Sequence, residues 1–182
     1  GPGGGPHVKV FDAQGNRMKM FFAYDEKFRG GIDVAAYRGT GESPAIIVTG
    51  AGVGGGPHVR IFDAQGNRIA QFFAFDEKFR GGVKVAIGNI LDGNTAPEII
   101  AVPAANGGPS IRVFDLSGQL AAFYDAFEPW WRGSYDTAAG DGALAIASGK
   151  GGRRASVRPI LIEQTEVPTP PEADFTGYDF VP

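Results

Sequence analysis

The chain has 182 residues, a net charge of −3, 29 Gly, 13 Pro, 14 Phe and no cysteine. That inventory excludes a disulfide framework, a thiolate metal site and a cysteine nucleophile, and it offers neither the basic footprint that binds nucleic acid nor a basic patch for an anionic membrane. No apolar run approaches the roughly 20 residues needed to span a bilayer, so membrane insertion is not expected. The chain opens on Gly1 without a charged-then-apolar leader, and its compartment is not read from that end.

In chain order, residues 3–31 read GGGPHVKVFDAQGNRMKMFFAYDEKFRGG, two apolar runs around a Gln-Gly-Asn turn. IDVAAY (32–37) and AIIVTGA (45–51) follow as two further strands. Residues 54–82 then repeat the opening segment with six changes in 29 positions. Within that copy HVRIFDA (58–64) and IAQFFAF (69–75) form a predicted hairpin around Gln65, Gly66 and Asn67. VKVAIGNI (83–90), the polar loop LDGNTAP and EIIAVPA (98–104) complete the unit. A third, eroded copy runs over 107–134 and is read with one extra residue, placed at Asp125. ASVRPILIEQ (155–164) matches only the first strand of the unit. Pro6, Pro57 and Pro109 set the period at 51 and then 52 residues. Nowhere do apolar residues recur at helical spacing; they cluster in runs of five to seven bounded by Gly and Pro.

Four short strands per unit of about 50 residues is the pattern of a β-propeller blade. A β-helix has shorter turns, and a sandwich does not repeat its sequence. Apolar residues stand on both faces of the strands, as at Phe72 and Phe73 or Ile99 and Ile100, which suits sheets stacked face to face. The expected fold is all-β: a propeller of four-stranded antiparallel blades, about three and a half repeats long.

The pattern G-G-G-P-H-V-[KR]-[VI]-F-D…F-F-A-[YF]-D…F-R-G-G-[VI]-x-V-A…E-I-I resembles the FG-GAP-like repeats of bacterial secreted and cell-surface proteins, distant relatives of the integrin α-chain propeller. It covers residues 1–164. The resemblance implies a calcium-supported propeller, commonly of seven blades, that acts in adhesion or surface assembly, and hence an extracellular or cell-surface location. Propeller repeats are expected over 1–165, in units of about 1–31, 32–82, 83–134 and 135–165. Such an arc leaves apolar faces in water, so the ring is expected to be completed by a longer chain or by further copies; two copies of three and a half blades would make seven.

The resemblance places a calcium loop, D-x-[DN]-x-D-G-x-x-D, between the first two strands of a blade, where clustered oxygens wrap a hard cation. The chain departs from it in every copy. The best remnant holds Asn89, Asp92, Asn94 and Glu98 as candidate ligands, with a polar turn as the competing reading; no other cofactor is expected. His7 and His58 recur because the repeat recurs and are read as structural. Asp25-Glu26 and Asp76-Glu77 look like paired glycosidase carboxylates, yet each pair precedes an Arg (Arg29, Arg80) and is read as a cap or ion pair bracing a turn; Glu128 and Arg132 take these places in the third copy. The Gly-rich stretches precede strands rather than helices, so they lack the amides and dipole that hold phosphate.

Trp130 takes the place of Lys78 and is a candidate exposed contact for a sugar or partner, whereas Trp131 replaces Phe79 and is expected in the core. Residues 166–182 match no part of the repeat. Their prolines disfavour ladder pairing, and Phe175, Tyr178 and Phe180 suggest an extended arm docking on a neighbour. The functional expectation is a non-enzymatic structural or adhesion module, without catalytic residues, whose partners are further copies of itself, the rest of a longer chain or other surface proteins. Glycan binding or cleavage, and a calcium-stabilised adhesin, are the alternatives.

Overall fold

The computed structural model describes residues 3–39, 45–91, 96–140 and 142–149, together with the backbone of 157–160. Among them are thirteen strands and no helix, arranged as four antiparallel sheets, none closed on itself. The first sheet is the hairpin β1 (His7–Phe11) and β2 (Arg17–Phe22). The second runs in chain order through β3 (Ile32–Tyr37), β4 (Ile46–Ala51), β5 (His58–Asp63) and β6 (Arg68–Phe73). The third repeats it with β7 (Val83–Gly88), β8 (Glu98–Pro103), β9 (Ser110–Phe114) and β10 (Leu120–Asp125). The fourth holds β11 (Tyr135–Gly140), β12 (Ala143–Ser148) and β13 (Val157–Ile160).

Every hairpin between the third and fourth strands of a unit is built on one aspartate. Asp12 Oδ1 accepts the amides of Gln14 and Asn16 at 2.9 and 2.8 Å, and Oδ2 accepts Asn16 Nδ2 at 3.0 Å. Asp63 holds Asn67 in the same way, and Asp115 takes the amides and hydroxyl offered by Ser117 and Gln119. These turns satisfy their backbone donors locally. The side-chain bond from Asn16 holds the Asp12 carboxyl below its ordinary value, and Asn67 does the same for Asp63. At Asp115 partial burial pulls the other way, but the bonds from Ser117 and Gln119 outweigh it.

Successive sheets lie face to face. Val8, Ala23, Ile47 and Phe62 fill the first seam. Val48, Val59, Ile61, Val85, Ile99 and Phe114 belong to the core of the second, and Ile100, Val102, Ile111, Trp131, Tyr135 and Leu144 to that of the third. The first strands of neighbouring sheets meet, β3 against β7 and β7 against β11. The central strands β4 and β8 are buried along their whole length. That explains why they read as unbroken apolar runs rather than as alternating strands.

The register corrects one sequence assignment. Ser110 pairs with Asp125 as His58 pairs with Phe73, and Ile111 with Tyr124 as Val59 with Phe72. Asp125 therefore stands in the place of Phe73, with no insertion in the third copy. The 52-residue step is already present between Ile46 and Glu98, whereas Ile32 and Val83, which open β3 and β7, are 51 apart. The extra residue thus lies in the loop between β7 and β8. A polar replacement of an exposed phenylalanine at Asp125 imitated an insertion.

Candidate functional site

The same seam recurs between sheets, and its parts come from the repeat. Arg60, on β5, donates from Nη1 to Ala23 O at 2.7 Å and lies 4.8 Å from the centroid of the Tyr24 ring. Arg112, on β9, donates to Ala74 O at 3.2 Å and lies 5.3 Å from the Phe75 centroid. Each arginine thus clasps the preceding sheet through a carbonyl and a ring. The Tyr24 hydroxyl reaches His58 O at 2.7 Å and Thr49 O at 2.9 Å, and burial raises its pKa well above the ordinary phenol range. Beside the clasp Phe62 packs on Phe21 with centroids 4.8 Å apart, and Phe114 on Phe72 at 4.6 Å. The hairpin glycines press on the same rings: a Cβ on Gly66 would come within 2.7 Å of Phe21, and one on Gly118 within 2.7 Å of Phe72. Both positions need φ near +85° as well, so glycine is required twice over.

A second tie joins the first strands. Asp33, Lys84 and Asp136 occupy equivalent second positions of β3, β7 and β11. Asp33 Oδ2 accepts the Val85 amide at 2.8 Å, and Lys84 Nζ lies 3.3 Å from Asp136 Oδ1. Burial raises the Asp33 pKa despite that bond and the attraction of Lys84. Neither the clasp nor this alternation of charge was recognised from the sequence. The signal was present in both cases: a cation at Lys9, Arg60 and Arg112, and charges spaced by one period.

The carboxylates and arginines that resemble a catalytic pair are engaged in turns, and the histidines lie against aromatic rings. Asp25 Oδ1 accepts the Lys27 amide and Asp76 Oδ1 the Lys78 amide, both at 2.8 Å. Arg29 donates to the carbonyls of Glu26 and Phe28, Arg80 to those of Glu77 and Phe79, and Arg132 to those of Pro129 and Trp131. The arginines therefore cap the turn through carbonyls, not through an ion pair with the aspartate. His7 stacks on Phe22 at 4.8 Å; His58 lies 5.0 Å from Phe73 and also meets the edge of Tyr24 at 5.6 Å. Burial, and then the charge of Arg60, lowers the His58 pKa.

Of the four proposed calcium ligands, Asp92 and Asn94 lie outside the described residues. Glu98 is buried, and its Oε2 accepts the amides of Ile90 and Leu91 at 2.9 and 3.2 Å. The Asn89 carbonyl accepts the Gly142 amide at 2.7 Å. No group of three or more His, Cys, Asp or Glu side chains is placed to hold a metal among the described residues. Trp130 is 64% exposed and Trp131 is 4% exposed, packed between Phe127 and Tyr135. Phe175, Tyr178 and Phe180 lie outside the described residues.

One surface of the first sheet differs from its counterparts. Phe11, at the place of Phe62 and Phe114, is 54% exposed, against 4% and 5% for those two. Lys9, at the place of the clasping arginines, is exposed, and a Cβ on Gly15 would meet nothing within 4 Å. Beside them Gly5, His7, Phe22, Glu26, Lys27 and Arg29 line an open depression of about 550 Å³. On β2 the exposed Met18 and Phe22 have exposed counterparts in Ile69 and Phe73, so the contrast lies on β1 and the turn after it. The candidate functional site is this open half-seam. No family model, curated protein or solved structure matches the chain.

Proposed function

We propose that the four sheets are successive blades of a β-propeller of FG-GAP-like kind, and that the chain is a non-enzymatic structural and adhesion module of the cell surface or extracellular space. It works by protein–protein contact, with further copies of itself or with other surface proteins. The observation that carries this reading is the repeated seam, which joins sheet to sheet by the same clasp and ring pair and recurs as an open half on β1. The carboxylates, arginines and histidines that might have formed a catalytic centre are copies of one another, and the carboxylates and arginines brace turns within each copy.

The test has two arms. Purified chain is assayed for turnover of glycans, esters, phosphate esters and peptides, and in parallel for binding to immobilised envelope proteins and to itself. Saturable binding without turnover is expected. Turnover abolished by Asp76→Asn with Glu77→Gln would overturn the proposal.

The exposure of Trp130 favours a second reading, a sugar-binding surface at the turn after β10. Glycan binding lost in Trp130→Ala, with the melting temperature unchanged, would support it. The calcium-stabilised variant predicts a melting temperature that rises with calcium and falls with chelator.

A further inference from the structure

Resting on that reading, we propose that the outer hairpin β1–β2 of one copy completes the last sheet of a second copy, pairing β1 with β12 and displacing β13, so that two chains close a ring of six sheets head to tail.

Three observations converge on this interface. First, β1 has an open edge. Its counterparts β5 and β9 each pair on both sides, with β4 and β6 or with β8 and β10, whereas β1 pairs only with β2 among the described residues. An unpaired edge is a template for another strand. Second, the face that β1 presents is the one that grips a preceding sheet elsewhere. Phe11 and Lys9 stand where Phe62 with Arg60, and Phe114 with Arg112, reach Phe21 with Tyr24 and Phe72 with Phe75.

Third, the other end of the chain carries the matching edge, held by a weak occupant. β11 and β12 correspond to β3 and β4, the two inner strands that have no counterpart in the first sheet among the described residues. Their third strand, β13, is described over Val157–Ile160, and Pro159 lies opposite Ala145. Proline has no N–H to give to a ladder. By contrast β1 contains no proline.

The register follows from the repeat. β4 pairs with β5 as Ile47↔Phe62, Val48↔Ile61, Thr49↔Arg60 and Gly50↔Val59. Carried to equivalent positions, two units on for β12 and one unit back for β1, this sets Leu144 opposite the partner copy's Phe11, Ala145 opposite Val10, Ile146 opposite Lys9 and Ala147 opposite Val8. In that position Phe11 faces Tyr124, the counterpart of Phe72, and Lys9 faces Ala126 and Phe127, the counterparts of Ala74 and Phe75. Each copy then contributes two whole sheets and two halves. Two copies make six, not the seven anticipated from counting repeats, and six lies within the usual four to eight blades. The interface is heterologous, but it closes.

The chain contains no cysteine, so introduced thiols report one pair alone. Directly opposed residues of an antiparallel pair lie about 4.5–5.5 Å apart, within disulfide reach. The 182-residue Val10→Cys, Ala145→Cys variant is oxidised at about 100 µM chain, and its mass is compared with that of the unmodified chain. Expected are a native mass twice the 19.1 kDa of the chain and a disulfide joining two chains. Phe11→Asp, on a residue already exposed in the single chain, is expected to reduce the dimer at least tenfold while the β-sheet spectrum persists. A monomer at that concentration overturns the proposal, as does a dimer in which the thiols stay free or join only within one chain. A monomer that still binds envelope proteins would sink this interface and leave the functional reading standing. A cross-linked dimer that turns over substrate would do the reverse.

Discussion

Residues 3–31 and 54–82 differ at six positions, yet the two copies occupy different environments. Phe62 is sealed against Phe21, while Phe11 is half in water; Arg60 grips Ala23 and Tyr24, while Lys9 is exposed. The hairpin turn is the same in both, with Asp12 and Asp63 holding their asparagines at matching distances. The pair separates two kinds of structure. What a few consecutive residues build is identical wherever the copy stands. What depends on the neighbouring sheet exists only where that sheet is present.

The largest test of this contrast is truncation of the seam ring. Phe62→Ala should cost about 3–5 kcal/mol in urea unfolding, the usual range for a buried phenylalanine. Phe11→Ala, measured at low chain concentration, should cost less than about 0.5 kcal/mol, as an exposed change does. The gap should narrow at high concentration if a second copy covers Phe11. A smaller contrast is expected for the clasp: Arg60→Ala should lose about 1–2 kcal/mol through its charged hydrogen bond and ring contact, and Lys9→Ala almost nothing.

Asp33 tests the tie between first strands. Its raised pKa means that the folded state holds the proton more readily than the unfolded chain. Its ionised form is therefore the costly one at neutral pH, and its contribution improves as pH falls from the raised value through the ordinary carboxylate range near 4. Asp33→Asn should raise the melting temperature at pH 7 by roughly a degree or two, with the difference vanishing toward pH 4. A fall at pH 7 would show that the attraction to Lys84 outweighs burial.

The smallest effect should be the same in both copies. Asp12 and Asp63 have lowered pKa values, so the stability they contribute is present above about pH 4 and is lost as pH falls through the lower folded value. Asp12→Ala and Asp63→Ala should each flatten the acid limb of the stability curve, and by similar amounts. Unequal effects would mean that the turn senses its neighbour after all.

Much of this architecture was legible in the chain. Alternating runs around Asp-Ala-Gln-Gly-Asn gave the hairpins, and the period gave sheets that follow one another. Trp131 was assigned to the core and Trp130 to the surface because they replace Phe79 and Lys78. Position along the seam was not legible, since Phe11 and Phe62 lie in the same local sequence. The carbonyl clasps were missed because the donor and acceptor lie 37 residues apart for Arg60 and Ala23. Glu98, named as a candidate ion ligand, accepts amides from its own loop through Oε2, a role that leaves the same trace in the sequence as a ligand would.

The clasp always runs from one copy to the copy before it, using a cation on one side and a carbonyl and ring on the other. A gene that duplicates one whole period inserts a sheet whose two sides already fit, and neither neighbour needs to change. A duplication that is not a whole number of units places unlike sides together. Arrays built this way can grow or shrink by complete units while single-residue drift stays confined to loops such as that between β7 and β8.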